Sequence, residues 1–278
     1  MSDLDAKREQ LVELIRSFER CAVAFSAGVD STVVAKAAQV ALGERAVAVT
    51  GVSPSLAEGE LDEARRMAEL IGIRHEIIST SEFSNPNYLR NAPDRCYHCK
   101  TELFTAIKAI APRLGVSVIL SGANADDADD YRPGTQAASE HEVRSPLAEC
   151  GITKREVRAL AAYWDLPIWN KPAMPCLASR VAYGEKVTPE RLEMIDRAER
   201  FLRDRGLGAV RVRYHRGDLA RVEVPADQIE RVCQPEFRAA LIEHLKGLGF
   251  RFVAIDLEGF RSGSLNAMVP IEVLAASR

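Results

Sequence analysis

The feature that most constrains this chain is a six-residue loop, Ser26-Ala27-Gly28-Val29-Asp30-Ser31, between a short apolar run (Cys21 to Phe25) and an alanine-rich stretch ending near Gly43. In order, these read as strand, loop and helix. Such a loop has the chemistry of a pyrophosphate cradle. Small residues let successive backbone N–H groups approach an anion, and a helix beginning near Ser31 adds its positive end. Within the loop, Ser26 and Ser31 supply hydroxyl donors, Gly28 and Val29 line the turn, and Asp30 is placed to hold a magnesium ion bridging phosphates. The loop is neither a Walker A motif, which ends in Gly-Lys-Ser/Thr, nor a G-x-G-x-x-G dinucleotide turn. Read from the residues alone, the alternative is a small-residue turn with a helix cap.

Beyond Gly43 the alternation continues. AVAVTGV (46–52) is a strand, ELDEARRMAELIGI a helix stopped by Gly72, HEIIST a strand, RCYHCKTELFTAIKAIAPRLG a helix and SVILSGAN a strand. Alternating strands and helices predict a parallel sheet covered on both faces, an α/β fold whose ligands bind beyond the C-terminal ends of the strands. SAGVDS falls there, and so does SGANADD (121–127). In the latter, Asp126 and Asp127 are placed to hold magnesium or position a nucleotide, or else serve as turn chemistry. A helix opened by a Thr153/Glu156 capping box closes a first domain, residues 1–170. A proline-rich connection, a helix from Pro189 to near Gly206, a hairpin around Gly217, a helix near 235–247 and the strand-like FRFVAIDL make a smaller α+β domain, residues 171–278. A length of 278 residues suits two domains. The balance of 37 Lys and Arg against 40 Asp and Glu argues against general nucleic-acid binding. The charged N-terminal segment does not resemble a signal peptide and no apolar stretch is long enough to cross a bilayer, so a cytoplasmic protein is predicted.

The six cysteines do not form a disulfide framework. Cys96 and Cys99 form a C-x-x-C pair at the start of a predicted helix, with Lys100 beside them; the pair alone fits a redox dithiol, half a zinc site or part of an iron–sulfur cluster. Without a second C-x-x-C or an H-x-x-x-H, a closed zinc site is poorly supported. Cys176 lies in Met-Pro-Cys-Leu-Ala-Ser-Arg, where nearby Arg180 would favour its thiolate; the alternative is an inert thiol. Cys21 reads as strand core, while Cys150 and Cys233 have no functional context. In the hairpin, an even register would put Arg211, Arg213, Arg221 and Glu223 on one face, where arginines repel unless an anion joins them. The alternative there is a solvated sheet face.

SAGVDS resembles the S-G-G-x-D-S signature of the PP-loop ATP pyrophosphatase superfamily, also described as adenine nucleotide alpha hydrolase-like, with Ala27 in place of the first glycine. A methyl at that position is expected only if its φ stays below zero. Together with D-R-C-Y-H-C-K, S-G-A-N-A-D-D, S-P-L-A-E-C-G-I-T-K-R-E-V-R and K-P-A-M-P-C-L-A-S-R, the loop makes essentially the whole chain resemble the LarE family of ATP-dependent sulfur transferases. The resemblance implies ATP and magnesium as cofactors, with Lys100 and Asp126 joining the loop at the nucleotide. It implies a small-molecule substrate, pyridinium-3,5-biscarboxylate mononucleotide, whose carboxylates become thiocarboxylates in nickel-pincer cofactor assembly. Cys176 becomes the sulfur donor, and Arg180, Glu199, Arg211, Arg213 and Glu223 the substrate-binding residues. Some family members consume the donor cysteine, leaving dehydroalanine. Others hold a [4Fe–4S] cluster on three thiolates, which here would be Cys96, Cys99 and Cys176, and this second type is the reading adopted. Hexameric assembly is implied by the family alone. The rival readings are a PP-loop tRNA thiolase, an ammonia-dependent amidating synthetase, and a metal-binding regulator that only senses ATP.

Overall fold

The computed structural model describes residues 3–129, 133–172 and 174–261. Its strands are β1 (Cys21–Ala24), β2 (Ala46–Val52), β3 (Arg74–Ser79), β4 (Val118–Leu120), β5 (Arg211–His215), β6 (Leu219–Glu223) and β7 (Phe252–Ile255). The helices are α1 (Asp3–Arg16), α2 (Val29–Leu42), α3 (Glu60–Ile71), α4 (Pro86–Leu89), α5 (Arg95–Leu114), α6 (Pro133–Glu140), α7 (Pro146–Glu149), α8 (Lys154–Tyr163), α9 (Pro189–Arg203), α10 (Ile229–Cys233) and α11 (Pro235–Gly247).

β3-β2-β1-β4 form a parallel sheet in that order. Side chains alternate across it, as the twofold strand period requires. Cys21 and Val23 of β1 join Ala46 and Ala48 of β2 against Leu11, Val33, Met67 and Leu160 of α1, α2, α3 and α8. Ala22, Ala24, Val47 and Val49 face Phe104, Ile107 and Ala137 of α5 and α6. Both faces are therefore covered, which is why these strands read as unbroken apolar runs.

Around a third core cluster stands the second sheet, β5-β6-β7, antiparallel between β5 and β6 and parallel between β6 and β7. This cluster contains Leu192 and Ile195 of α9, Leu241 of α11, and also Tyr88 of α4. The α4 segment thus packs with residues from beyond position 170. Among the described residues, no helix is long and apolar enough to cross a membrane.

Two local expectations need correction. The helix after the phosphate loop starts at Val29, two residues before Ser31. Ala27 adopts φ 53°, not a negative φ, while its methyl is fully buried. The loop needs a left-handed residue where the related signature has glycine, and packing of the methyl into the core offsets a strain of about 1–2 kcal/mol.

Candidate active site

The phosphate loop closes on itself. Ser31 Oγ donates to the Gly28 carbonyl at 3.1 Å and lies 3.2 Å from Ser26 Oγ. The N–H groups of Ser26 and Gly28 reach these hydroxyls at 3.3 and 3.4 Å. Gly28 caps α2 in an extended conformation and supplies no side-chain bond to the helix amides. The first N–H groups of α2 consequently point out of the helix end, where an anion is favoured.

Asp30, in the first turn of α2, is engaged on both oxygens: Asn124 Nδ2 donates to one at 3.1 Å and Lys154 Nζ pairs with the other. Lys154 is the first residue of α8, and its N–H donates to Asp126 Oδ2 at 2.9 Å. Asp127 accepts from the Asn124 N–H at 3.0 Å. Asp126 and Asp127 therefore act here through capping and turn bonds. This second loop can lie against the first because residue 122 is glycine; a Cβ there would stand 2.8 Å from the Ser31 nitrogen. Sequence reasoning missed Lys154 and Asn124. Lys154 directly follows Thr153, whose capping box with Glu156 is formed, so the sequence carries a signal for the helix end but none that singles out its cation.

Cys176 is exposed. The N–H of its neighbour Leu177 donates to the Ser55 carbonyl at 3.0 Å, tying the cysteine to the loop that leaves β2. Because the strands are parallel, that loop and the phosphate loop lie at the same end of the sheet. Ser55 Oγ is 2.5 Å from the buried Tyr88 hydroxyl, and Ser53 Oγ donates to the buried Glu82 at 2.5 Å. Near the start of α5, the Cys99 thiol is pushed up to about 12, first by burial and then by the charges of Cys176, Glu82 and Cys96, with Lys100 opposing. Tyr88 is raised by burial and then by Cys176. The three thiols thus share one electrostatic neighbourhood. Among the described residues, no group of three His, Cys, Asp or Glu could hold a metal ion. Lys100 Nζ lies 5.9 Å from the Phe104 ring centre.

Arg180 is 1 % exposed. Its Nε and Nη2 donate to the two oxygens of Glu199 at 3.0 and 3.2 Å. Its Nη1 donates to the carbonyls of Pro175 and Cys176, the latter at 2.9 Å. The buried Glu199 also accepts from the Val212 N–H at 3.1 Å and from Arg203 at 3.2 Å. Rather than presenting a bare cation to Cys176, Arg180 holds the backbone of its loop against α9 and β5.

In the hairpin, Arg211 pairs across from Glu223 and Arg213 from Arg221, the even register expected. Arg213 grips Glu223 with two N–H groups at 3.0 and 2.9 Å, and Arg221 reaches Glu223 and Asp256, each at 3.0 Å. Resident carboxylates thus relieve the arginine repulsion that, from the sequence, called for an external anion. Arg211 lies over the Phe260 ring at 5.1 Å and is lowered to about 10 by burial and then by Arg180.

Comparison with known proteins gives these likenesses. A family model described as asparagine synthase matches residues 7–147. An uncharacterized protein of Synechocystis sp. is 47% identical over 266 residues, 96% of this chain and 99% of that protein. Pyridinium-3,5-bisthiocarboxylic acid mononucleotide synthase of Lactiplantibacillus plantarum is 37% identical over 267 residues, 96% of each chain. An uncharacterized protein of Methanocaldococcus jannaschii is 29% identical over 242 residues, 86% of this chain and 90% of that protein.

Proposed function

This chain belongs to the LarE family, that of the pyridinium-3,5-bisthiocarboxylic acid mononucleotide synthase, and we propose that it is an ATP-dependent sulfur transferase acting on the corresponding biscarboxylate nucleotide. Residues 1–170 would form the adenylating domain and residues 171–278 the sulfur-transfer domain, in a cytoplasmic homo-oligomer. The observation that carries the reading is the Leu177–Ser55 hydrogen bond, which holds an exposed thiol at the end of the sheet where the phosphate loop lies.

A carboxylate is a poor electrophile until its oxygen becomes part of a better leaving group. In the proposed first step a substrate carboxylate oxygen attacks the α-phosphorus of ATP and pyrophosphate departs. The amides at the start of α2 and the hydroxyls of Ser26 and Ser31 receive the pyrophosphate. Magnesium bound with ATP would be held by Asp30 and would neutralise phosphate charge. Lys154, now on Asp30, is the cation next to that position.

In the second step the Cys176 thiolate attacks the acyl carbonyl and AMP leaves, forming a thioester. Removal of the Cys176 α-proton then breaks its Cβ–Sγ bond, releasing thiocarboxylate and leaving dehydroalanine. Arg211, Arg213, Glu223, Glu199 and Arg180, all buried as the protein stands, form the charged cluster proposed to border the substrate, Arg180 and Glu199 through the loop they hold.

A second sulfur source is implied by the family alone: a [4Fe–4S] cluster on Cys96, Cys99 and Cys176, which as they stand are not among the described residues grouped to hold a metal ion. Were those three residues to hold it, the chemistry it would supply is an additional sulfide in place of the Cys176 sulfur.

The test is anaerobic turnover with ATP, magnesium and the biscarboxylate nucleotide, followed by measurement of protein-bound iron and intact protein mass. Protein lighter by one H2S after turnover supports Cys176 as the consumed donor. Bound iron with unchanged protein mass supports the second source. ATP binding without pyrophosphate release contradicts both and favours a sensor.

A further inference from the structure

The segment that follows Cys176 has little regular structure beyond a short 3-10 turn at Leu177–Arg180, so its place is set by bonds from other elements. Arg180 and Glu199 tie it to its own side of the molecule. A different pair ties it to the helix carrying Cys96 and Cys99. Asn91, between α4 and α5, is fully buried at φ 56°, a left-handed conformation that asparagine tolerates better than most residues. Its side-chain nitrogen donates to the carbonyls of Val181 and Ala182 at 3.1 and 2.8 Å, and its own carbonyl accepts from the Gly184 N–H at 3.1 Å.

Arg95 is 5 % exposed and immediately precedes Cys96. Its Nη1 donates to the Asn91 side-chain oxygen and to the Ala178 carbonyl, the latter at 2.8 Å. The side-chain bonds to Ala178, Val181 and Ala182 join positions 83 to 91 residues apart, and both partners are shut away from water, where leaving any of them unmade costs about 1–3 kcal/mol. The guanidinium also lies in the electrostatic field of both Cys176 and Cys96. It is therefore at once a backbone clamp and a cation that both cysteine segments act on.

We propose that Asn91 and Arg95 are positioning residues for sulfur transfer: together they dock the Cys176 segment onto the cysteine-bearing end of α5, so that its thiol faces the same acceptor position as Cys96 and Cys99. The step they serve rests on the sulfur-transferase reading; the docking does not. Both bonds leave the single nitrogen Nη1, so methionine at position 95 would keep the aliphatic stem while losing the two bonds together. Asn91 contributes two donor hydrogens, both used, and glycine at that position would keep the backbone conformation while losing them.

The test is cross-linking of the full-length protein with dibromobimane, which fluoresces only after alkylation by two thiols, with the joined peptides identified by mass. The wild type should yield an adduct linking Cys176 to Cys96 or Cys99. Arg95→Met and Asn91→Gly should each reduce it about fivefold while the protein remains folded by circular dichroism; two variants of unlike chemistry guard against one failing to fold. In the same variants ATP–pyrophosphate exchange should change by less than about threefold, whereas thiocarboxylate formation should fall roughly tenfold or more, because misplacement of a reacting group is felt only in the step that uses it. Undiminished cross-linking in both variants would overturn the proposal. Because cross-linking needs no substrate, absence of thiocarboxylate formation by the wild type would overturn the reaction reading alone.

Discussion

Ala27 shows how a single residue can record a backbone requirement that its own chemistry resists. At φ 53° an L-alanine carries left-handed strain of about 1–2 kcal/mol. Ala27→Gly would remove that strain but also delete a buried methyl, at about 1 kcal/mol, and loosen the unfolded chain by a further 0.4–1 kcal/mol or so. These effects offset, so the stability of Ala27→Gly by denaturant titration should lie within about 1 kcal/mol of the wild type. Ala27→Val adds volume in a full core and β-branching at a positive φ, and should cost about 3 kcal/mol. Glu199 makes a second residue-scale case. With Arg180 1 % exposed, Glu199→Ala would leave a buried guanidinium without its main partner, a loss of about 3–5 kcal/mol in the same titration. Neither requirement was legible in the sequence. The Ala27 methyl argued for a negative φ, and the Arg180 charge could be read as serving Cys176 until Glu199 was seen to take it.

Among the elements, those with clear local signals read correctly: the apolar run of β2, α3 ending at Gly72, and the capping box of α8. What did not read are contacts made by chain closure. Asp30 and Lys154 stand 124 positions apart, and no periodicity points from one to the other. The start of α8 also has a pH signature. Glu156 is held down at about 2, first by its hydrogen bond with Lys7 and then by the Thr153 backbone. A carboxyl depressed by folding contributes stability that is present above its ordinary value near 4.5 and is lost as pH falls toward 2. Glu156→Gln should therefore be less stable than the wild type at pH 7, by about 1 kcal/mol for the weakened cap, with the gap closing between pH 4.5 and 2; thermal unfolding across that range measures it. A gap independent of pH would show that the charge contributes nothing. Gly122→Ala should shift the Ser31 end of the phosphate loop and weaken ATP binding roughly tenfold by calorimetry, since a Cβ has only 2.8 Å to the Ser31 nitrogen.

For the molecule as a whole, the parallel sheet supplies a fixed end at which the Ser26–Ser31 loop and the Cys176 loop both lie, while the second sheet carries buried arginines balanced by its own carboxylates. The fold class was legible because strand and helix alternate at short range through the first half of the chain. The meeting of Cys176 with the C-x-x-C helix was not, because it depends on Asn91, Arg95 and Ser55, ordinary polar residues in no motif. The central claim is that ATP cleavage here activates a carboxylate for attack by sulfur delivered at Cys176. Its most direct test is the mass of the nucleotide product from the wild type and from Cys176→Ala after anaerobic incubation with ATP and magnesium. The expected result is sulfur replacing one carboxylate oxygen, with one AMP and one pyrophosphate released per sulfur, in the wild type alone. Thiocarboxylate formed equally well by Cys176→Ala would contradict the claim.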